Sequence, residues 1–284
     1  MTFGARFTVA IALLVGSYRD PVRADTAERG PAGVGAAIGA GTVIGLVLLA
    51  LEPGRGAPPW WRVPVAVAAA ASLALFAWQQ SRAERPLLAR ELARDRTVQA
   101  GLLGGLFAGA LLYACSAYVP LWITQRTHSP LYAGAALVPL LLGWAVASTF
   151  SVRVLIQRGM RASVAGGFAV AVCGAVALLA CTRSGSPHAV GGALVALAVL
   201  GMGIGPAAST SLIAAQSHVE WQQRAVITST VYASRTLGGS LAVAALAAAH
   251  AVHDAQRAFL GIAVAAALAF VTAWVMAPTR VTPA

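Results

Sequence analysis

The sequence predicts an all-α, polytopic membrane bundle, and three observations carry that prediction. Mean hydropathy is +0.76. Only 10% of the 284 residues are charged, whereas a soluble domain carries about 25%. Eight stretches long enough to cross a bilayer follow one another, seven of them uncharged and one broken by Arg235 alone; a hydrocarbon core about 30 Å thick needs roughly 20 helical residues. The runs are continuously apolar and do not alternate, so helices that satisfy their own backbone are expected and barrel strands are not.

In chain order, residues 7–16 (FTVAIALLVG) are too few to cross and read as a helix stub. The stub mimics a signal peptide, yet no small-x-small cleavage site follows it. A mixed-charge linker runs to residue 30, and apolar runs near 32–51 and 63–80 come next. The segment SRAERPLLARELARDRT then carries Leu87, Leu88 and Leu92 on one helical face, which suits the membrane interface. Six further runs lie near 98–123, 131–152, 162–182, 189–215, 225–249 and 258–277. Three units are therefore expected: the stub and linker (1–30), two spans with the interfacial loop (31–97), and a six-helix bundle (98–284).

Charge sets the orientation. With residues 17–30 placed in the cytoplasm, thirteen arginines fall on the inner side and five on the outer, as the positive-inside rule expects, and the C-terminus returns to the cytoplasm of a cell (plasma) membrane protein. Trp60, Trp61, Trp78, Trp122, Trp221 and Trp274 lie near span ends, where an aromatic belt forms. A net charge of +11 invites a nucleic-acid reading, but the arginines are scattered between apolar runs and form no patch, which excludes it. Cys115, Cys173 and Cys181 have no paired spacing and are expected to be small buried residues, with no disulfide, metal or cofactor implied.

Gly101, Gly105 and Gly109 line one face of the third run and let another helix approach closely; Gly35 with Gly39, and Gly41 with Gly45, do the same in the first. The run GMGIGPAAST is not a dinucleotide loop, because Pro206 occupies the third glycine position and no strand precedes it. Gly205 and Pro206 mark either a bend lining a pathway or a plain packing kink, and Pro120 and Pro139 present the same choice. Every Asp, Glu and His falls in a loop or at a span end, so no proton relay, hydrolytic centre or metal cluster is expected, and the chain does not read as an enzyme. Arg235 is the lone intramembrane charge. Its partner is a carbonyl freed by Pro206 or Pro139, an anionic ligand, cavity water, or a carboxylate on another chain; a structural role and a role in substrate or gating both fit.

Four stretches carry a family resemblance: RPLLARELARDRTVQAGLL; YVPLWITQRTHSPLYAGAALVPLLLG; VRVLIQRGMRA; and GMGIGPAASTSLIAAQSHVEWQQRAVITSTVYASRTLGGSLAVA. Through them the chain resembles the C-terminal portion of a major facilitator superfamily transporter, more narrowly the fourteen-span drug:proton antiporter type (EmrB/QacA group). The resemblance implies that residues 7–16 end a sixth span, that the next two runs are the family's extra helices, and that about half of a working transporter is missing. It implies secondary active efflux of lipophilic small molecules, proton-coupled when complete, with an N-terminal half or self-association supplying the second bundle. The alternative is a non-transporting membrane remnant or subunit that packs with such a half.

The family's cytoplasmic loop motif is matched at Arg153, Arg158, Gly159 and Arg161, while Val152 and Ile156 depart from it. Gly201, Gly205 and Pro206 partly match the antiporter motif, Arg224 matches a basic position, and Arg235, Gly238 and Gly239 match an arginine and double glycine in the penultimate span. Cavity walls would then come from the third, fourth, sixth and seventh runs, with Tyr113, Tyr118, Trp144 and Tyr232 reaching toward a lipophilic substrate.

Overall fold

The computed structural model describes residues 95–183, 188–248 and 254–278, together with Val67. The stub, the linker, the runs near 32–51 and 63–80, their glycine pairs and the interfacial loop before Asp95 lie outside the described residues. The elements are α1 (Arg96–Thr127), α2 (Pro130–Ala135), α3 (Val138–Arg183), α4 (Ala189–Ser217), a 3-10 turn (Trp221–Gln223), α5 (Arg224–Ala248) and α6 (Ala255–Met276). Among the described residues the fold is all-helical. Four helical stretches are long and apolar enough to cross a membrane: α1, the continuous Pro130–Arg183 stretch, α4 and α6.

That is fewer than the six runs expected over these residues, for two physical reasons. The runs near 131–152 and 162–182 join into one stretch of 54 residues, which at 1.5 Å per residue extends to about 80 Å, far more than one crossing. Gly159 divides it. Its φ of 82° and ψ of 175° fall in a region that only glycine occupies without strain, separating an arm at 138–158 from one at 160–183. The second reason is α5, which is polar. Besides Arg235 it carries Thr228, Ser229, Thr230, Ser234, Thr236 and Ser240. Most of their hydroxyls donate to carbonyls three or four residues back on the same helix, which lets them lie in an apolar setting without orphaned donors.

The two arms of α3 hold α4 between them. On one side a side chain at Gly201 or Gly205 would run into the backbone of Leu140 or Trp144; on the other, Gly167 meets Gly203 and Gly174 meets Leu200. Helix α1 reaches α4 at Gly101, beside Ser211 and Ala215, and α5 at Gly105 and Gly109, beside Val231 and Arg235; Gly238 of α5 answers against Leu106. These small residues bring helix backbones into contact, the arrangement in which dispersion contributes most.

Successive helices reverse direction. The start of α1, the Gly159 break, the end of α4, the start of α5 and the end of α6 therefore share one side. Side-chain bonds tie that side together. Asp95 caps α1 by accepting from the Thr97 and Val98 amides at 2.6 and 3.1 Å, and its other oxygen lies 3.4 Å from His218 Nδ1 at the end of α4. Gln216 donates to Thr228 at 2.7 Å, joining α4 to α5. At the opposite side Trp122 is only 4% exposed; it meets Phe259 edge-on at 5.8 Å and carries Arg126 over its face. So Trp122 belongs to the core, while Trp221 and Trp274 are exposed as belt residues would be. Cys115 is buried and Cys181 half-buried, but Cys173 is exposed on the outer surface of α3, so burial does not extend to all three. Pro139 occupies the second position of α3, where a helix needs no amide donor, so it is neither kink nor bend.

Candidate functional site

Arg235 is the twelfth of the 25 residues of α5, about 16 Å from its start and about 20 Å from its end at 1.5 Å per residue. Local geometry fixes its backbone: Gly109 of α1 lies against the Arg235 carbonyl and Cγ, so the absence of a side chain there is what lets the first part of the arginine pack on α1. From there the guanidinium extends toward α3, where its carbon lies 5.3 Å from the centre of the Trp144 ring and 5.2 Å from that of Tyr232 on its own helix. Helices α3 and α5 scarcely touch through their backbones, so this side chain bridges a gap between them. Its Nε is buried without a hydrogen-bond partner. Of the candidate partners, a proline-freed carbonyl is not the one it meets; two aromatic faces lie against the guanidinium, contacts worth about 0.5–2 kcal/mol each depending on desolvation.

Trp144 is positioned by Gly205. A methyl there would sit 3.1 Å from Trp144 Cδ1 and 3.0 Å from Ser148 Oγ, so the missing side chain is what seats the indole against α4. Ser148 Oγ is buried and, like Arg235 Nε, lacks a hydrogen-bond partner. Tyr113 packs its ring on Gly239. Tyr113 and Tyr232 are 44% and 50% exposed, so both present ring surface outside the bundle. The structure thus gathers Arg235, Trp144, Tyr232, Tyr113, Gly205, Gly239 and Ser148 along the margins of α1, α3, α4 and α5. Tyr118 is not among them. It is 5% exposed and donates its hydroxyl to the Val243 carbonyl at 3.3 Å, pinning α1 to α5. Pro206 stays inside an unbroken α4, so here the motif serves close packing through Gly201 and Gly205.

The loop residues divide by role. Arg153 and Arg158 are exposed. Gly159 makes the break, and Arg161 holds α6: its Nε donates to the Ala277 carbonyl at 2.8 Å and its amide to that of Pro278 at 3.1 Å. A cation on the last carbonyls of a helix is favourable against the helix dipole. Arg224 lies 5.4 Å over the Trp221 ring at the start of α5. Ser148 escaped sequence reasoning, because a lone serine in an apolar run is commonplace; its position four residues after Trp144 on the same helical face was the available signal.

A separate crevice lies between α1, α3 and α6, lined by Gly104, Phe107, Phe168 and Met276 among others, with about 10 Å³ for water. That is room for one molecule of water at most. No protein-family model matches the chain, and no curated protein matches it.

Proposed function

We propose that residues 96–276 form one bundle of a two-bundle secondary transporter of the major facilitator type, which moves lipophilic small molecules across the plasma membrane with the C-terminus in the cytoplasm. The observation that carries this reading is Arg235: a charge near the middle of its helix, unpartnered at Nε, between the partly buried Trp144 and the half-exposed Tyr232, on the most polar of the long helices. A charge so placed is functional by default. The crevice between α1, α3 and α6 has space for about one water, so a substrate would meet the bundle at its Arg235 margin and not there. The second bundle would come from an N-terminal half or another copy, rocking against this one around a site at mid-membrane. Resemblance in the loop and glycine-proline stretches supports the same reading.

The test is flux. The chain is reconstituted in liposomes alone and together with an N-terminal six-span half of an efflux carrier, and uptake of lipophilic dyes is followed under an imposed proton gradient. Gradient-dependent flux that Arg235→Met reduces supports the reading; absence of flux in both preparations, with the protein inserted and helical, removes it in favour of a non-transporting subunit.

A further inference from the structure

We infer that the Arg235 cluster recognises an aromatic anion: a flat, apolar molecule bearing one carboxylate, sulfonate or similar group. The inference rests on the reading of that cluster as the substrate site, and narrows it to one class of ligand.

Three observations point this way. First, the charge is uncompensated. Among the described residues the acids are Asp95, Glu220 and Asp254, all at helix starts. Asp95 faces His218 and Asp254 faces Arg257; none of the three is paired with Arg235. In a low-dielectric setting a fixed positive charge with no neighbouring carboxylate draws anions and repels cations over several ångströms.

Second, the contacts of the guanidinium are with ring faces, which leave its hydrogen-bonding capacity unused. Trp144 and Tyr232 approach as π surfaces, while Nε has no acceptor. A guanidinium edge is a fork of N–H donors matched to two oxygens of a planar or tetrahedral anion.

Third, the surroundings are aromatic and accessible. Tyr113 and Tyr232 are each about half exposed, so an arene can stack beside the charged group. Depth separates such a solute from a lipid headgroup: Arg235 lies about 16 Å from the start of α5 and about 20 Å from its end, near the centre of a hydrocarbon layer about 30 Å thick.

The full chain in nanodiscs of zwitterionic lipid is titrated with anilinonaphthalene sulfonate and with its neutral parent phenylnaphthylamine, reading probe fluorescence and energy transfer from tryptophan. The sulfonate is expected to bind about tenfold tighter or more, as a charge-assisted hydrogen bond would give. Arg235→Met should erase that preference while neutral-probe binding persists; Arg235→Lys should keep part of it. Equal binding of the two probes by the native chain, or an unchanged preference in Arg235→Met, overturns the inference. So does displacement of the sulfonate by anionic lipid in the disc, since the site would then hold a headgroup. The readout is equilibrium binding, so it is independent of the flux assay. Anion preference without flux spares this inference and removes the transport reading, and flux restricted to cationic dyes does the reverse.

Discussion

The guanidinium carbon of Arg235 lies 5.3 Å from the ring centre of Trp144, joining α5 to the first arm of α3 across a gap that their backbones do not close. One side chain therefore ties together two helices that α1 and α4 otherwise hold apart.

The energetics of that contact decide what its removal does. An arginine at a helix centre costs about 2.5–3.5 kcal/mol on insertion scales, and two aromatic faces return about 0.5–2 kcal/mol each. Cost and return nearly cancel. Arg235→Met should therefore shift the thermal midpoint by no more than about 3 °C, on the scale of 1 kcal/mol in a domain of this size, while flux and anion binding fall about tenfold or more. A drop beyond about 10 °C in a thermal melt would make Arg235 a structural anchor instead.

Close helix approach gives a contrast between two glycines. A methyl at Gly238 would overlap the Leu106 carbonyl, whereas Gly166 has nothing within 4 Å of that position. Gly238→Ala should lose about 1–3 kcal/mol through overpacking. Gly166→Ala should be neutral or gain up to about 1 kcal/mol from helix propensity. Denaturation in a single detergent, with both variants side by side, measures the difference.

The break in α3 depends on backbone conformation. With φ at 82° and ψ at 175°, Gly159→Ala should cost about 1–3 kcal/mol. It should also loosen the register in which Arg161 reaches Ala277. Faster amide exchange in residues 273–278 of the variant is the expected signature; exchange equal to the native chain would mean that the break does not set the position of α6.

At the start of α1 the cap and the ion pair can be separated. Asp95→Ala removes the acceptor for the Thr97 and Val98 amides and should cost about 0.5–2 kcal/mol. Asp95→Asn keeps a capping oxygen and loses only the charge facing His218, a partly exposed pair worth at most about 1 kcal/mol, so it should lie close to the native chain. Thermal melts of both variants test the order.

Composition and periodicity were sufficient for the helical, membrane-compatible class, for the glycine face of α1, and for singling out Arg235. Each depends on local facts: how long an apolar run is, how often a small residue recurs, whether a charge interrupts it. Partners could not be read the same way. That Arg235 meets Trp144, that Tyr118 is spent on Val243, that Ser148 lacks an acceptor, and that Arg161 secures the end of α6 all depend on residues far apart in the chain meeting in space. Helix rotation and tilt decide those meetings. An apolar run fixes neither, since in lipid every face of it is equally welcome until a neighbouring backbone, admitted by a glycine, selects one.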